Sequence, residues 1–399
     1  MFYKLSIDDL TLRGRRLFLR VDFNVPLESG RIMDDSRIQA ALPTIRLAVT
    51  RGARIVLASH LGRPNGKVDT KFSLRPVVRR LAELLDRPVD FAVDCIGTEA
   101  IQKSKQLNDA GVLLVENLRF YPGEEANDAS FAQKLSQLCD GIYVNDAFGA
   151  AHRAHASIVG ITKFVRQAAG GALLQKELQY LGMVMGAPPK PYIVILGGAK
   201  VSDKIEVIQN LIKTCSHMLL GGAMAYTFLK AQGAPVGKSL VEDDKLDLAR
   251  QILALAAEKN CRLLLPVDHV IAREMRKGTE VKICRIQETP DDWMGLDIGP
   301  ATVELYSKEL SAARTIFWNG PMGVFEISPF ERGTLSLAYV IAEATRRGAT
   351  SVVGGGDSVA ALHKAGVAEN ITHISTGGGA SLELLGGRKL PGVEALSNH

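Results

Sequence analysis

The chain has 399 residues, of which 46% are hydrophobic and 23% charged, and a formal charge of +5 at pH 7. One hydrophobic core stops growing at about 250–300 residues, so two domains are expected, and the ordinary composition excludes disordered and fibrous classes. The small cationic excess contains no dense Lys/Arg tract, which speaks against nucleic acid or a membrane surface and for discrete anion sites.

No apolar run approaches the ~18 residues of a membrane span, and the start MFYKLSIDDL lacks the apolar stretch of an export signal. Cys95, Cys139, Cys215, Cys261 and Cys284 are odd in number and show no C-x-x-C spacing. Buried structural thiols in a reducing cytoplasm are expected, rather than disulfides or a zinc site.

In chain order, the first half offers the strand patterns LFLRVDFNV (17–25), RIVLASH (54–60), VLLVENLRF (112–120) and GIYVNDAF (141–148). Helical patterns such as LRPVVRRLAELLD (74–86) and ASFAQKLSQLC (129–139) lie between them. GALLQKELQYLGMVM (171–185) reads as a helix from the spacing of Leu173, Leu174, Leu178, Leu181 and Met185, and GAPPKP (186–191) breaks it, so the domain boundary is placed there. The second half offers PYIVILGG (191–198), HMLLGG (217–222), RLLLPVDHV (262–270), RTIFWNG (314–320), TSVVGGGDS (350–358) and ITHISTGGG (371–379). Such alternation predicts an α/β fold of two doubly wound, Rossmann-like parallel-sheet domains joined by a helix.

GAPVGKS (233–239) imitates a phosphate-binding Walker loop, but it has three residues between its glycines where four are needed, and it follows a helix-like stretch. It is read as an ordinary loop. Three other glycine clusters each follow a predicted strand, which is where open parallel sheets bind ligands. In LGGAKVSDK (196–204), Lys200 and Lys204 are spaced i, i+4 and would share a helix face able to reach a polyphosphate; a solvated basic face fits the same spacing. In VVGGGDSVAAL (352–362), Ser358 is expected to cap the next helix while Asp357 offers a hard oxygen ligand for magnesium; a ligand-free capped turn is the alternative. In HISTGGGASLELL (373–385) the glycines form a potential nest of N–H donors.

The first half instead places single arginines near strand ends: Arg37, Arg63, Arg119 and Arg153. Guanidinium groups converging on one crevice would hold a small, multiply charged acid, although each alone also suits a surface ion pair. His60, His152 and His155 share these segments. Asp22 and Asn24 in VDFN (21–24) fit hydrogen bonding to hydroxyl and carboxylate oxygens, or local turn-making. No Ser/His/Asp or Cys/His arrangement supports covalent catalysis. Two anion-binding halves with a candidate metal ligand suggest phosphoryl transfer, which needs positioning and charge neutralisation more than a nucleophile.

RVDFNVP (20–26), SHLGRP (59–64), NDAFGAAHRAHAS (145–157), LGGAKVSDK (196–204), MGLDIGP (294–300), WNGPMGVFE (318–326), GGGDS (354–358) and STGGGASLELL (375–385) resemble, in order, the signatures of the phosphoglycerate kinases. The resemblance implies a phosphoglycerate-binding domain over 1–170, a connecting helix over 171–186, a nucleotide-binding domain over 187–385 and a tail over 386–399 that packs back on the first domain. It implies that Asp22 and Asn24 touch the glycerate hydroxyl and carboxylate region. His60, Arg63, Arg119 and Arg153 would hold the non-transferred phosphate, and Arg37 would face the reacting carboxyl-phosphate end.

On the nucleotide side the same resemblance assigns nucleotide phosphates to Lys204, the transferring phosphoryl group to Lys200, and Mg2+ to Asp357. Glu326 would meet the ribose, Gly222 and Leu296 the adenine, and Asn319, Gly354, Gly355, Gly356 and Ser358 complete the nucleotide set. Gly377, Gly378 and Gly379 would offer N–H groups to the moving phosphoryl. The implied substrates are 3-phosphoglycerate or 1,3-bisphosphoglycerate and ADP or ATP, bound by a cytoplasmic monomer with no nucleic-acid or membrane partner. Two departures stand out: Gly386 where the family usually carries glutamate, and Ala150 where threonine is common. A nicotinamide-dependent dehydrogenase shares the fold class but would need a G-x-G-x-x-G fingerprint that no strand here precedes. A non-catalytic scaffold would need losses among the ligands, and none is visible.

Overall fold

The computed structural model describes residues 4–399. The chain divides into two compact units, one ending at Gln179 and regaining Lys389–His399, the other running Tyr180–Arg388. The first division falls inside the helix Ala172–Met185.

The first unit carries a six-stranded parallel sheet. Its strands are β1 (Arg16–Arg20), β2 (Arg54–Ala58), β3 (Asp90–Ala92), β4 (Val112–Val115), β5 (Ile142–Asn145) and β6 (Gln167–Gly170), ordered β3-β4-β2-β1-β5-β6. Apolar residues on both faces explain why β4 reads as the unbroken run VLLV, all of it buried: helices cover both sides of a parallel sheet. The chain winds outward from β1 in both directions, so the switch point lies between β1 and β5. There Arg20 ends one strand and Asn145 the other. The C-terminal residues join this unit, with Gly392 N donating to Ala151 O and Ser397 N to Ala168 O, each at 2.8 Å.

The second unit repeats the plan with β7 (Tyr192–Leu196), β8 (His217–Leu220), β9 (Arg262–Leu264), β13 (Thr315–Asn319), β14 (Thr350–Gly354) and β15 (His373–Ile374), ordered β9-β8-β7-β13-β14-β15. A separate antiparallel sheet, ordered β11-β10-β12, comprises β10 (Asp268–Ala272), β11 (Val281–Arg285) and β12 (Met294–Ile298). The α/β class and the doubly wound parallel sheets stand as expected. The single strand expected over 262–270 does not: Pro266 has no N–H to give a ladder, and the run splits into β9 and β10, which belong to different sheets.

Several expected strands are shorter than their apolar runs. β1 stops at Arg20, β4 gives way to a 3-10 turn at Leu118–Phe120, and β15 keeps only two residues. In each case the freed residues leave the sheet at its carboxyl edge. The five cysteines are free; four are buried and Cys284 is half-buried.

Helix starts are held by carboxylates from neighbouring elements. The helix Pro300–Ser311 has Gly299 at its cap, with no side chain to offer, and Asp268 from β10 accepts from Ala301 N at 3.0 Å and Thr302 N at 2.7 Å instead. Asp146, just beyond β5, accepts in the same way from Leu173 N and Leu174 N at the start of the helix Ala172–Met185. Burial pushes its carboxyl up to about 6 against those bonds.

Candidate functional site

In the first unit the residues leaving the carboxyl ends of the strands form one charged cluster. Arg20, the last residue of β1, is fully buried; its Nε donates to Ser157 Oγ at 2.8 Å and its Nη2 lies 3.1 Å from His60 Nδ1. A guanidinium only donates, so Nδ1 accepts and the His60 proton sits on Nε2. Burial, and then the fields of Arg20, Arg119 and Arg37 against that of Asp22, hold His60 well below its ordinary pKa, so it is neutral.

Asp22 accepts from Arg37 Nη1 at 2.5 Å. Burial alone would raise its carboxyl, but it lies below the usual range: with His60 neutral, the Arg37 and Arg20 guanidiniums and the Asn24 N–H, which donates to it at 3.1 Å, hold it there. Asn24 Oδ1 accepts from Gly62 N at 2.9 Å, and Arg119 Nη1 donates to Gly62 O at 2.8 Å, so the SHLGRP loop is clamped on both sides. Arg119 is only 5% exposed, with its Nε 3.2 Å from Glu125 Oε1. Burial, reinforced by the nearby charge of Arg153, lowers its pKa although Glu125 opposes. Cations this close are held against their own repulsion, an arrangement an incoming polyanion relieves.

The structure thus brings Asp22, Asn24, Arg37, His60, Arg119 and Arg153 together. Arg63 is exposed at the edge of the same loop. Arg20 was not singled out in the sequence, although its place two residues before Asp22 at a strand end was the available signal. His155 is buried, and burial followed by Arg119 and Arg20 lowers it to about 3, which makes it a neutral structural histidine.

In the second unit glycine backbones meet at the switch point between β7 and β13. Gly197 N donates to Asn319 O and Gly198 N to Pro321 O, each at 3.0 Å, and Gly222 N donates to Met322 O at 2.9 Å. Gly222 has φ +65°, and a Cβ there would come 2.5 Å from Gly198 N; at Gly320, φ +96°, it would come 2.6 Å from Lys204 Nζ. Side chains are excluded at both positions, so the strand-end backbones pack directly against one another.

Lys204 is 9% exposed and donates to Gly197 O at 2.6 Å and Asn319 O at 2.9 Å, tying the two strand ends together. Burial lowers its pKa to about 8, while Asp357 and Asp203 oppose. Asn319 Nδ2 is buried with no partner, beside the turn Gly354–Gly355. The shared helix face expected for Lys200 and Lys204 is absent. The helix starts only at Ile205, with Lys204 as its cap at φ −129°, so Lys200 lies exposed in the glycine loop while Lys204 points inward.

Ser358 is also not the cap expected of it. Gly355 occupies that position and the buried Ser358 Oγ accepts from Gly320 N at 2.6 Å, bracing the next strand end. Gly378 and Gly379 are exposed at the start of the helix Gly379–Leu385, and Gly377 is buried.

A cavity of about 400 Å³ opens beside these loops, and Gly222, Leu296, Glu326 and Asp357 all line it. The dismissed GAPVGKS segment is a loop after the helix Met224–Ala231, yet it contributes Lys238 to the lining; only the tertiary packing reveals this. Asp297 lies in the cavity wall, accepting from Gly333 N at 2.7 Å and Ile298 N at 2.9 Å. Burial pushes its carboxyl up to about 8 in spite of these bonds.

Asp357 is exposed and has no hydrogen bond or ion pair among the described residues, and no group of three or more His, Cys, Asp or Glu side chains converges there. That lone carboxylate fits magnesium, which takes one or two carboxylates plus phosphate oxygens and keeps several waters.

The sequence profile of phosphoglycerate kinase matches residues 7–388. The chain is 57% identical to the phosphoglycerate kinase of Koribacter versatilis over 99% of both chains. It is 54% identical to that of Chlorobium chlorochromatii over 99% of this chain and all of the other. Its fold superposes on the phosphoglycerate kinase structure from Coxiella burnetii with a TM-score of 0.90 at 41% identity, covering 98% of each. The corresponding figures for the enzyme from Pyrococcus horikoshii are 0.83 and 34%, again over 98% of each. With this likeness along its whole length, the chain belongs to the phosphoglycerate kinase family.

Proposed function

We propose that this kinase transfers a phosphoryl group reversibly between 1,3-bisphosphoglycerate and ADP with magnesium, giving 3-phosphoglycerate and ATP. The observation that carries the reading is the buried set Arg20, His60 and Arg119 around an ionised Asp22, paired with Arg37, at the switch point of the first unit. Such a set suits a small acid bearing both a phosphate and a hydroxyl.

In this mechanism Arg119, Arg153, Arg63 and His60 Nε2–H hold the phosphate that does not move, while Asp22 accepts from the glycerate hydroxyl. An oxygen of the terminal ADP phosphate attacks the acyl phosphorus in line, a new P–O bond forms, and the carboxylate oxygen leaves with the electrons of the broken bond towards Arg37. Lys204, Asn319 and the Gly354–Gly356 turn position the nucleotide phosphates, and Glu326 meets the ribose. Lys200 and the N–H groups of Gly378 and Gly379 meet the charge that spreads over the moving group. Asp357 would hold magnesium, which would supply charge neutralisation at the nucleotide phosphates. Domain closure excludes water before transfer.

The direct test is a coupled assay with 3-phosphoglycerate, ATP and magnesium, with turnover expected only when all three are present. Small-angle scattering tests closure, since an unchanged radius of gyration with both substrates on an active preparation would count against it.

A further inference from the structure

At the amino end of the second unit's parallel sheet, two buried thiols face each other. Cys215 lies two residues before β8 and Cys261 immediately before β9. Their Sγ atoms are 3.0 Å from each other, although the residues stand 46 positions apart in the chain. Packed carbon atoms sit about 3.5–4.0 Å apart, so the larger sulfurs share a hydrogen bond rather than a van der Waals contact.

The backbone fixes this meeting. Cys215 N donates to Leu211 O, closing the helix Ile205–Leu211, and Cys261 N donates to Ala256 O, closing the helix Leu246–Glu258, each at 2.9 Å. Ser216 N then donates to Tyr192 O at 2.8 Å and Arg262 N to Ser216 O at 3.0 Å, so β7, β8 and β9 begin side by side. Each cysteine is held between a helix end and a strand start.

A metal does not account for the pair. Structural zinc takes four ligands, and among the described residues no group of three or more His, Cys, Asp or Glu side chains converges. The chemistry left is that of sulfur with sulfur. Cys215 S–H donates to Cys261 Sγ, which brings the Cys261 thiol below its ordinary range although burial opposes. The same bond, and then burial, raises Cys215. The thiolate is the nucleophilic form, so reaction begins at Cys261. Burial raises Cys95, Cys139 and Cys284 instead.

We propose that Cys215 and Cys261 form an oxidation site at which hydrogen peroxide joins the two sulfurs into a disulfide, stapling the starts of β8 and β9 together. The Cys261 thiolate attacks one peroxide oxygen; an S–O bond forms, the O–O bond breaks, and the departing hydroxide takes up the proton released by Cys261. The Cys215 sulfur then attacks Cys261 Sγ; the S–S bond forms, the S–O bond breaks, and the second hydroxide leaves as water with the Cys215 proton. Two thiols and one peroxide give one disulfide and two waters, the sulfurs losing the two electrons that the peroxide gains. Because the pair lies at the end of β8 remote from Gly222, the disulfide acts on stability, by constraining the unfolded chain, and not on turnover.

The experiment treats the full-length protein with hydrogen peroxide, alkylates the remaining thiols after unfolding, and maps tryptic peptides by mass spectrometry. A linked pair is expected, Thr214–Lys230 joined to Asn260–Arg262, while Cys284 stays alkylated. The thermal midpoint should rise by about 5–10 °C over the dithiothreitol-reduced protein, with kcat in the coupled assay unchanged. Cys215→Ser should abolish both the linked peptide and the rise.

Alkylation of both Cys215 and Cys261 after peroxide treatment overturns the site. A linked peptide with an unchanged midpoint, or a rise that persists in Cys215→Ser, overturns the staple. Should Cys215→Ser fail to fold, the oxidised and reduced wild-type protein decide alone.

Discussion

In the first unit the Arg20 and Arg119 guanidiniums and the neutral His60 are buried together around Asp22, so their positions are fixed before any ligand arrives. In the second, the strand ends meet as glycine backbone, the buried Lys204 is consumed by the carbonyls of Gly197 and Asn319, and Lys200 and Asp357 stand exposed. In the proposed mechanism one region holds an anion with side chains, and the other with backbone at a helix start. The difference teaches where rate and affinity reside. Groups already locked in the ground state contribute binding, whereas an exposed cation is free to meet charge as it develops.

The sharpest way to break that comparison is Lys200→Ala, which should lower kcat by about 10²–10³ while leaving the calorimetric ADP dissociation constant nearly unchanged. Lys204→Ala should weaken ADP binding as well, because two strand-end carbonyls lose their shared donor. A Lys200→Ala enzyme with normal kcat, folded by circular dichroism, would refute the division.

A smaller effect is expected from Arg119→Ala. It should raise KM for 3-phosphoglycerate by about 10- to 100-fold, the range for hydrogen bonds to a charged group, and barely alter KM for ATP. Equal damage to both constants would mean that the first unit is not a separate binding device.

The smallest effect concerns Asp297, whose carboxyl is pushed from the ordinary 3.8 up to about 8 by burial in the cavity wall. Between those values the folded chain keeps a proton that the unfolded chain releases, so this group's contribution to stability falls as pH rises through that window. Chemical denaturation of Asp297→Asn from about pH 5 to 8 should therefore show a flatter decline than wild type. Parallel curves would show that Asp297 does not titrate in this range.

Much of this was legible in the sequence where local chemistry decides. β-branched runs ending in glycine marked the sheets, and Asp22, Arg37, His60 and Arg119 were identifiable because each follows a strand whose carboxyl end is where such sheets bind ligands. Gly386, one of the two departures from the family, also finds an account: a Cβ there would sit 3.1 Å from Glu206 Cβ, and Glu206 instead reaches Arg388 at 2.6 Å. A glutamate at 386 would set two like charges together.

By itself, then, the sequence determined the α/β class, the two-unit plan and the segments proposed to carry the anion sites, because these depend on periodicity and on glycine and arginine at strand ends. Only the tertiary structure decided what depends on neighbours distant along the chain. It turned Lys204 inward and left Lys200 outside, because the helix begins only at Ile205, after both lysines, and the i, i+4 spacing never falls on a helix. It moved Ser358 from helix cap to brace, since Gly320 N lies within its reach. It split 262–270 between two sheets, and it brought Arg20 into the first cluster and Lys238 to the cavity lining. Burial and the direction of a hydrogen bond are properties of a surrounding, and no local stretch of sequence contains its surrounding.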